Sequence, residues 1–324
     1  MLISAKNINF EFRVIFWLEL LMLLFSFELN AAPEKTTGIE TELSDVKNIY
    51  FKTVNLDANL AILLHAMGKS PPPTLGVVVL AADKRQVYYE SLSLFRKVNR
   101  LSFELLRIKR QEPELSGANL VWSDINYLIE HAESLIDAIF KKFDIAKAKQ
   151  SQLEHKQSFS PQLLLASLLN TNRFINHVLE RPFSPSDVYQ ELTVAVGYAA
   201  NLLSRHPNVS RIPDSPEFEK NKKPVDVFMR LYSILDDIDA IAKTENLQMV
   251  KLDISQIKTE NILPGDVYDM AQLVVSELVF LHDYYNSQRI IPPRFYPGAK
   301  FPAHVYQRAG LLQKQIESLR KQMN

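Results

Sequence analysis

The chain contains no cysteine among its 324 residues. It therefore has no disulfide, no cysteine nucleophile, no cysteine-ligated zinc or iron–sulfur cluster and no covalently attached haem. Glycine is scarce, with eight residues, and none of the motifs G-x-S-x-G, G-x-x-x-x-G-K-[ST] and G-x-G-x-x-G occurs. These absences argue against an enzyme that holds a phosphate or an oxyanion in a glycine-rich loop, and we expect no cofactor.

Net charge is also lacking, because 37 lysines and arginines balance 37 acidic residues. A neutral chain has no overall attraction to phosphate backbones, so we expect no nucleic-acid partner. The seven histidines include no H-E-x-x-H pattern. A hydrolase or a metal-dependent enzyme that uses His282, Asp283 or His304 is the least favoured hypothesis, because these residues fall on separate predicted helices.

The first 32 residues differ in composition from the rest. Lys6 and Arg13 precede an apolar run at 14–27, and the small residues Ala31 and Ala32 follow it. This order is typical of a secretory signal peptide. The alternative is an uncleaved anchor, although the run of 14 residues is short against the roughly 20 that span a bilayer. We expect no membrane span after signal removal, a periplasmic or secreted bacterial protein, and another envelope protein as its partner.

A short motif recurs four times in the second half of the chain. It reads PSDVYQEL at 185–192, PVDVFMRL at 224–231, PGDVYDMA at 264–271 and PAHVYQRA at 302–309, with steps of 39, 40 and 38 residues. Proline is favoured at the first position of a helix, where its missing N–H costs nothing. An acidic residue two places later complements the positive end of the helix dipole. The motif therefore predicts four helix starts.

The residues after each motif predict one buried face for each helix. Apolar residues stand 4, 7, 11 and 14 positions after the motif's valine, and these spacings share a helical face. Three earlier segments repeat the spacing more faintly, after Val87, Ile125 and Leu164, and another helix is expected at about 42–67. The sequence predicts an all-α fold of about eight helices, with weak strand character only at 249–255.

The chain is predicted to comprise a signal peptide at 1–32, an N-terminal helical region at 33–156 and a C-terminal helical repeat region at 157–324. The two helical regions also fit one continuous domain. The connectors 206–223 and 243–263 are longer than the roughly 2–8 residues usual between helices. Either each connector runs back along its helix, giving a pseudo-symmetric four-helix bundle with all starts on one side, or antiparallel helices carry long loops. The sequence does not choose between these arrangements.

An aromatic residue follows the valine in every copy of the motif, although helix capping does not require one. Two hypotheses stay open: the four aromatic side chains line a ligand groove, or they fill equivalent gaps in the bundle. These candidate residues are Tyr189, Phe228, Tyr268 and Tyr306.

The connector 287–302 mixes cationic and aromatic residues with four prolines, which favours partner recognition. The alternative is a loop that covers the end of the bundle. Its candidate binding residues are Arg289, Arg294, Phe295 and Tyr296. A second proline-rich segment, SPPPTLG at 70–76, is interpreted as a spacer between helices.

Three functions from different classes fit these observations. The favoured one is an exported, non-enzymatic interaction or scaffold protein. The second is a small-molecule-binding or sensory helical bundle with its ligand in the core. The third is the hydrolase or metal-dependent enzyme described above.

Overall fold

All four prolines of the repeat begin helices, and the prediction of an all-α fold is confirmed. The computed structural model describes residues 34–113, 120–148, 158–285 and 295–323, with side chains from residue 42 onward. Within these ranges the helices are α1 (Glu34–Ala66), α2 (Lys84–Leu106), α3 (Trp122–Phe143), α4 (Pro161–Val178), α5 (Pro185–Leu203), α6 (Pro224–Thr244), α7 (Pro264–Tyr284) and α8 (Pro302–Met323).

Two short strands accompany the helices. Strand β1 (Val78–Ala81) pairs antiparallel with β2 (Lys251–Asp253), with Val79 opposite Leu252. Strand β2 lies inside the 249–255 segment that shows weak strand character in the sequence. None of the helices in the described part of the chain has the length and apolar composition needed to cross a membrane.

The acidic residue of the motif caps its helix by reaching back to the residue before the proline. The Oδ2 atoms of Asp187, Asp226 and Asp266 each accept a hydrogen bond of 2.7 Å from the backbone N–H three residues earlier. In the fourth copy His304 takes this role, because its Nδ1 accepts from the N–H of Phe301 at 3.1 Å. Each side chain thus satisfies a backbone donor at a helix start, where intrahelical partners are lacking.

Helices α5 to α8 form a parallel four-helix bundle. Their starts meet at one end, where a narrow funnel of about 10 Å³ separates them. Such a volume holds about one water molecule. Around the bundle α5 contacts α7, α7 contacts α6, α6 contacts α8, and α8 contacts α5. The funnel is lined by one proline and one valine from each helix: Pro185, Val188, Pro224, Val227, Pro264, Val267, Pro302 and Val305.

The parallel direction explains the long connectors. A helix of about 20 residues is about 30 Å long, and an extended chain covers this distance in about 10 residues. The connectors at 204–223, 245–263 and 285–301 are long enough to return to the starting end. Of the two arrangements that the sequence left open, the structure therefore shows the one with all four starts on one side.

The first four helices repeat this arrangement. The chain has two compact units, one up to Ser44 and one from Asp45 onward. The part of α1 that begins at Asp45 belongs to the same unit as the later helices. Helix α2 contacts α3 and α4. Helix α1 reaches α3 through Lys52, which donates to Asn126 Oδ1 at 2.7 Å, and it reaches α4 through Asp57. In order along the chain, the four helices have the same pattern of neighbours as α5 to α8.

Helices α2 and α3 also run parallel to each other. Lys84 and Trp122, the first residues of α2 and α3, lie side by side, with the ammonium 6.0 Å from the indole centroid. Nine to eleven residues further along each helix, Phe95 packs on His131 at 5.1 Å. We call α1 to α4 the N-terminal bundle and α5 to α8 the C-terminal bundle.

Helix α7 joins the two bundles, since it contacts both α2 and α4. It runs antiparallel to α2. Lys97, in the second half of α2, pairs with Asp269 near the start of α7, whereas Gln86 near the start of α2 donates to Glu277 in the second half of α7. This junction between the bundles contains the candidate site.

Candidate functional site

A cavity of about 280 Å³ lies between α4, α7 and the first turns of α6. This volume is close to the lower end of the roughly 300–1,000 Å³ typical of small-molecule sites. Apolar side chains make up most of its wall, and five polar residues lie among them. The polar residues are Thr74, Asn170, Arg173, Asp266 and Asp269, and the apolar side chains are Leu75, Val77, Ala166, Leu169, Phe228, Leu252, Met270 and Leu273.

The proline-rich 70–77 segment forms one side of the cavity, so the interpretation as a spacer misses its role. Lys258 N donates to Leu75 O at 3.1 Å, and Arg173 Nε donates to Pro73 O at 2.9 Å. Gly76 has φ +85° and lies so close to the next connector that a Cβ there would be 2.3 Å from Gln256 O. Only glycine combines this conformation with this approach, so residue 76 fixes the wall in place.

Arg173 holds three parts of the site together. Its NH1 donates to Asp266 Oδ2 at 2.6 Å, its NH2 donates to Asn261 O at 2.8 Å, and its Nε holds the 70–77 segment. The guanidinium fork is therefore committed to the protein on several sides. Burial raises the pKa of Asp266, and the Arg173 charge opposes this increase.

A second buried ion pair lies one helical turn further along α7. Lys97 is fully buried and donates to Asp269 Oδ1 at 2.5 Å, which also accepts from Ser93 Oγ at 2.9 Å. Lys97 donates in addition to Asn172 O at 3.3 Å. Burial raises the pKa of Asp269, and the ammonium opposes this increase. A buried pair of this kind requires such added hydrogen bonds to offset the desolvation of both charges.

Glu90 adds a third carboxyl group behind this pair. Its Oε2 accepts from Asn172 Nδ2 at 2.9 Å, while no described residue hydrogen-bonds its Oε1. Burial, and then the charge of Asp269, hold the pKa of Glu90 well above its usual value. Two buried carboxyl groups beside one ammonium disfavour a second negative charge, so this environment favours the neutral form of Glu90.

The structure does not bring the four aromatic residues of the motif to one ligand. Only Phe228 is among the residues that line the cavity. Tyr268 is buried against Phe183, with 4.3 Å between ring centroids. Tyr189 lies under the guanidinium of Arg308 at 4.7 Å.

The remaining aromatic, Tyr306, lies under Arg230 at 3.4 Å. Arg308 and Arg230 occupy equivalent positions, three residues after the valine of their own motifs. At the same position α7 carries Met270, which lines the cavity together with Phe228. The repeated aromatic is thus covered by an arginine at two positions, Tyr189 and Tyr306. At Phe228 the neighbouring helix presents Met270 instead, and this position opens into the cavity.

The late connector is described only in part. Arg289 and Arg294 lie outside the described residues. Phe295 and Tyr296 are 54% and 77% exposed, and Phe301 is 68% exposed. The end of the connector is held against α5, because Ser186 Oγ donates to Gly298 O at 2.9 Å.

The histidines considered for catalysis lie at opposite ends of the C-terminal bundle. His282 is fully buried near the end of α7, with its Nε2 2.7 Å from Tyr198 O. His304 caps the start of α8. Among the described residues no group of three or more histidine, aspartate or glutamate side chains is arranged to hold a metal ion.

No signature in the sequence identified the cavity, because its residues come from five separate segments. Asp266 belonged to the repeat motif, yet Asp269, Arg173 and Lys97 had no pattern that singled them out. Charged residues on otherwise apolar helix faces were the available signal.

Comparison with protein-family models, with curated proteins and with solved structures gives no match. Functional inference for this chain therefore depends on its own geometry.

Proposed function

We propose that this protein is a helical small-molecule-binding protein whose ligand occupies the cavity between α4, α6 and α7. The observation that supports this most directly is the combination of an apolar wall with two buried, hydrogen-bonded ion pairs. Ligand sites typically combine an apolar lining with a few fixed polar groups that orient the ligand. Pure packing does not require a space of about 280 Å³ beside buried charges.

A blocking substitution tests this proposal. Ala166 is exposed and lines the cavity, so Ala166→Trp should fill its entrance. Ser134 is exposed on α3, away from the cavity, and Ser134→Trp is the matched control. Ligand-observed NMR against a library of fragment-sized compounds should give hits that Ala166→Trp loses and Ser134→Trp keeps. Hits that both variants retain, or no hits at all, would reject the proposal.

A second candidate function is partner binding through the late connector, as the composition of 287–302 suggests. The exposed aromatic side chains of Phe295, Tyr296 and Phe301 favour it, since aromatic residues dominate interface energetics. The proposed partner is another envelope protein. A triple serine variant at these residues should lose that partner in a pull-down while Ala166→Trp keeps it. Equal capture by the triple variant and the wild type would reject this candidate.

Export is part of the same proposal, supported by the basic and then apolar composition of residues 1–32 and by the lack of cysteine. Intact-mass measurement of the protein purified from its source should show loss of the predicted signal peptide, with cleavage at Ala31 or Ala32. A full-length mass would instead favour the uncleaved anchor.

A further inference from the structure

On the polar side of the cavity, each of two ion-paired carboxylates has one oxygen that lacks a donor. The hydrogen bonds of Asp269 end on Oδ1, from Ser93 and Lys97. Those of Asp266 end on Oδ2, from Leu263 N and Arg173. Among the described residues, none donates to Asp269 Oδ2 or Asp266 Oδ1.

These two oxygens belong to residues that are only 4% and 6% exposed. The protein does not fully enclose either oxygen. Both residues line the cavity. The small exposed part of each carboxylate therefore faces the cavity. Their positions, three residues apart on α7, place the two carboxylates on the same side of the helix.

The two cations of the site are already paired with these carboxylates. Arg173 uses NH1, NH2 and Nε on Asp266, Asn261 O and Pro73 O. Lys97 donates to Asp269 and Asn172 O. A ligand anion would approach two carboxylates, and it would find only the N–H donors of Arg173 and Lys97 that these bonds leave over. A ligand with N–H donors and a positive charge would instead complete both acceptors.

We infer that the ligand is an amphipathic cation, an apolar body carrying an ammonium or amidinium group, with its charged end between Asp266 and Asp269. The inference rests on the proposed function and gives the chemical class that this cavity selects. The apolar end would lie against Phe228, Met270 and Leu273, at the gap that no arginine covers. Charge-assisted hydrogen bonds from a cation to carboxylates are about twice as strong as neutral ones, so charge decides the choice among ligands of equal size.

Three probes of matched shape test this inference: 2-phenylethylamine, 2-phenylethanol and 3-phenylpropionate, measured by isothermal titration calorimetry at neutral pH. The amine should bind at least about tenfold more tightly than the alcohol, a difference of about 1.4 kcal/mol, and the acid should bind most weakly. Ala166→Trp should abolish the binding of the amine, and Ser134→Trp should leave it unchanged.

Two double variants show whether the cavity carboxylate sets this order. Lys97→Met with Asp269→Asn removes the charge pair at the cavity. Arg85→Met with Glu277→Gln removes a second buried pair of the same helices, whose charged atoms are 3.3 Å apart, about two turns further along α7. The first double variant should reduce the amine's advantage over the alcohol to less than about threefold, and the second should keep it.

The outcomes separate the two proposals. Equal or tighter binding of the alcohol or the acid, blocked by Ala166→Trp, would overturn the cationic class and keep the cavity as a ligand site. Fragment hits that depend on the cavity but carry no cationic group would do the same. Absence of binding by all three probes, together with an empty fragment screen, would reject both the ligand class and the proposed function.

Discussion

The funnel and the cavity lie only a few residues apart along α7, and they differ in volume and in the residues that line them. The funnel at the start of the C-terminal bundle receives one proline and one valine from each of four equivalent helices and is about 10 Å³ in volume. The cavity receives unequal contributions from helices, a strand and a proline-rich segment, and it measures about 280 Å³. In the funnel, equivalent side chains from four helices fill the space between them. Where the two bundles join, the facing segments are not equivalent, and their side chains leave a cavity.

The largest expected effect is on the buried charges beside the cavity, which have no counterpart in the funnel. Lys97→Met should lower the free energy of unfolding by about 3–5 kcal/mol, because it leaves Asp269 buried without its cation. Adding Asp269→Asn should regain most of the lost stability, since the side chain that has lost its cation is then neutral. Urea denaturation followed by circular dichroism measures both values. A loss below about 1 kcal/mol in the single variant would show that this pair is not a structural element.

Truncation of apolar side chains should separate the two regions next. Leu312 is fully buried in the C-terminal bundle, and Leu312→Ala should cost about 2–5 kcal/mol through lost burial and a new void. Leu169 is half-buried at the cavity wall. Its truncation enlarges a space that already exists, so Leu169→Ala should cost less than about 1.5 kcal/mol. Equal costs in urea denaturation would contradict the view that only the first region is close-packed.

Asp57, which accepts a hydrogen bond from Asn170 of the cavity wall, should contribute to the pH dependence of stability. Burial raises the pKa of Asp57 from 3.8 to about 6, although Asn170 donates a hydrogen bond to its carboxyl group. Between these pH values the folded protein binds more protons at Asp57 than the unfolded chain does. The free energy of unfolding therefore falls as the pH rises from about 4 to about 6, and it stays lower above that range.

Asp57→Asn removes this titration and keeps an acceptor for Asn170 Nδ2, which donates to Asp57 Oδ2 at 2.7 Å. At pH 8 the variant should be more stable than the wild type by up to about 3 kcal/mol, and at pH 3.5 the two should differ little. Thermal unfolding across this pH range measures the difference. A constant difference at all pH values would show that packing, rather than the charge of Asp57, separates the two proteins.

Local features of the fold were predictable from sequence because their causes are local. Proline fixes φ at Pro185, Pro224 and Pro264, and the acid two places later reaches back to a neighbouring backbone donor, so each helix start is set within four residues. The parallel direction was not predictable, because it depends on where each connector ends in space. The cavity was still less accessible, since Leu75, Asp269 and the other lining residues meet only after both bundles have formed.

The site residues expected from the repeat show the same limit. The aromatic positions are equivalent in sequence, and no local signal distinguishes Phe228, which lines the cavity, from Tyr189, which lies under Arg308. The difference arises from the residue that the neighbouring helix presents. The composition of 287–302 indicated exposed aromatic side chains, and Phe295 and Tyr296 are exposed. Partner binding by this connector stays a prediction.

The smallest expected effect tests whether the repeated aromatic serves packing or binding. Tyr189 lies under Arg308 and 5.0 Å from the ammonium of Lys300. Tyr189→Leu should cost about 0.5–1 kcal/mol of stability through lost cation–π contact, whereas Tyr189→Phe keeps the ring and should cost less. Neither change should alter ligand affinity, because Tyr189 is not among the cavity-lining residues.

Phe228→Leu is the comparison that sharpens this test. It changes the apolar wall of the cavity at the equivalent position of α6, so it should change the affinity for 2-phenylethylamine, which Tyr189→Leu should leave alone. Calorimetry of both variants beside their unfolding curves gives the answer. If both leucine variants lose stability but only Phe228→Leu loses affinity, the repeated aromatic is a packing residue that became part of a ligand site at one of four positions. Equal loss of affinity in Tyr189→Leu and Phe228→Leu would instead indicate that the helix starts form one binding surface.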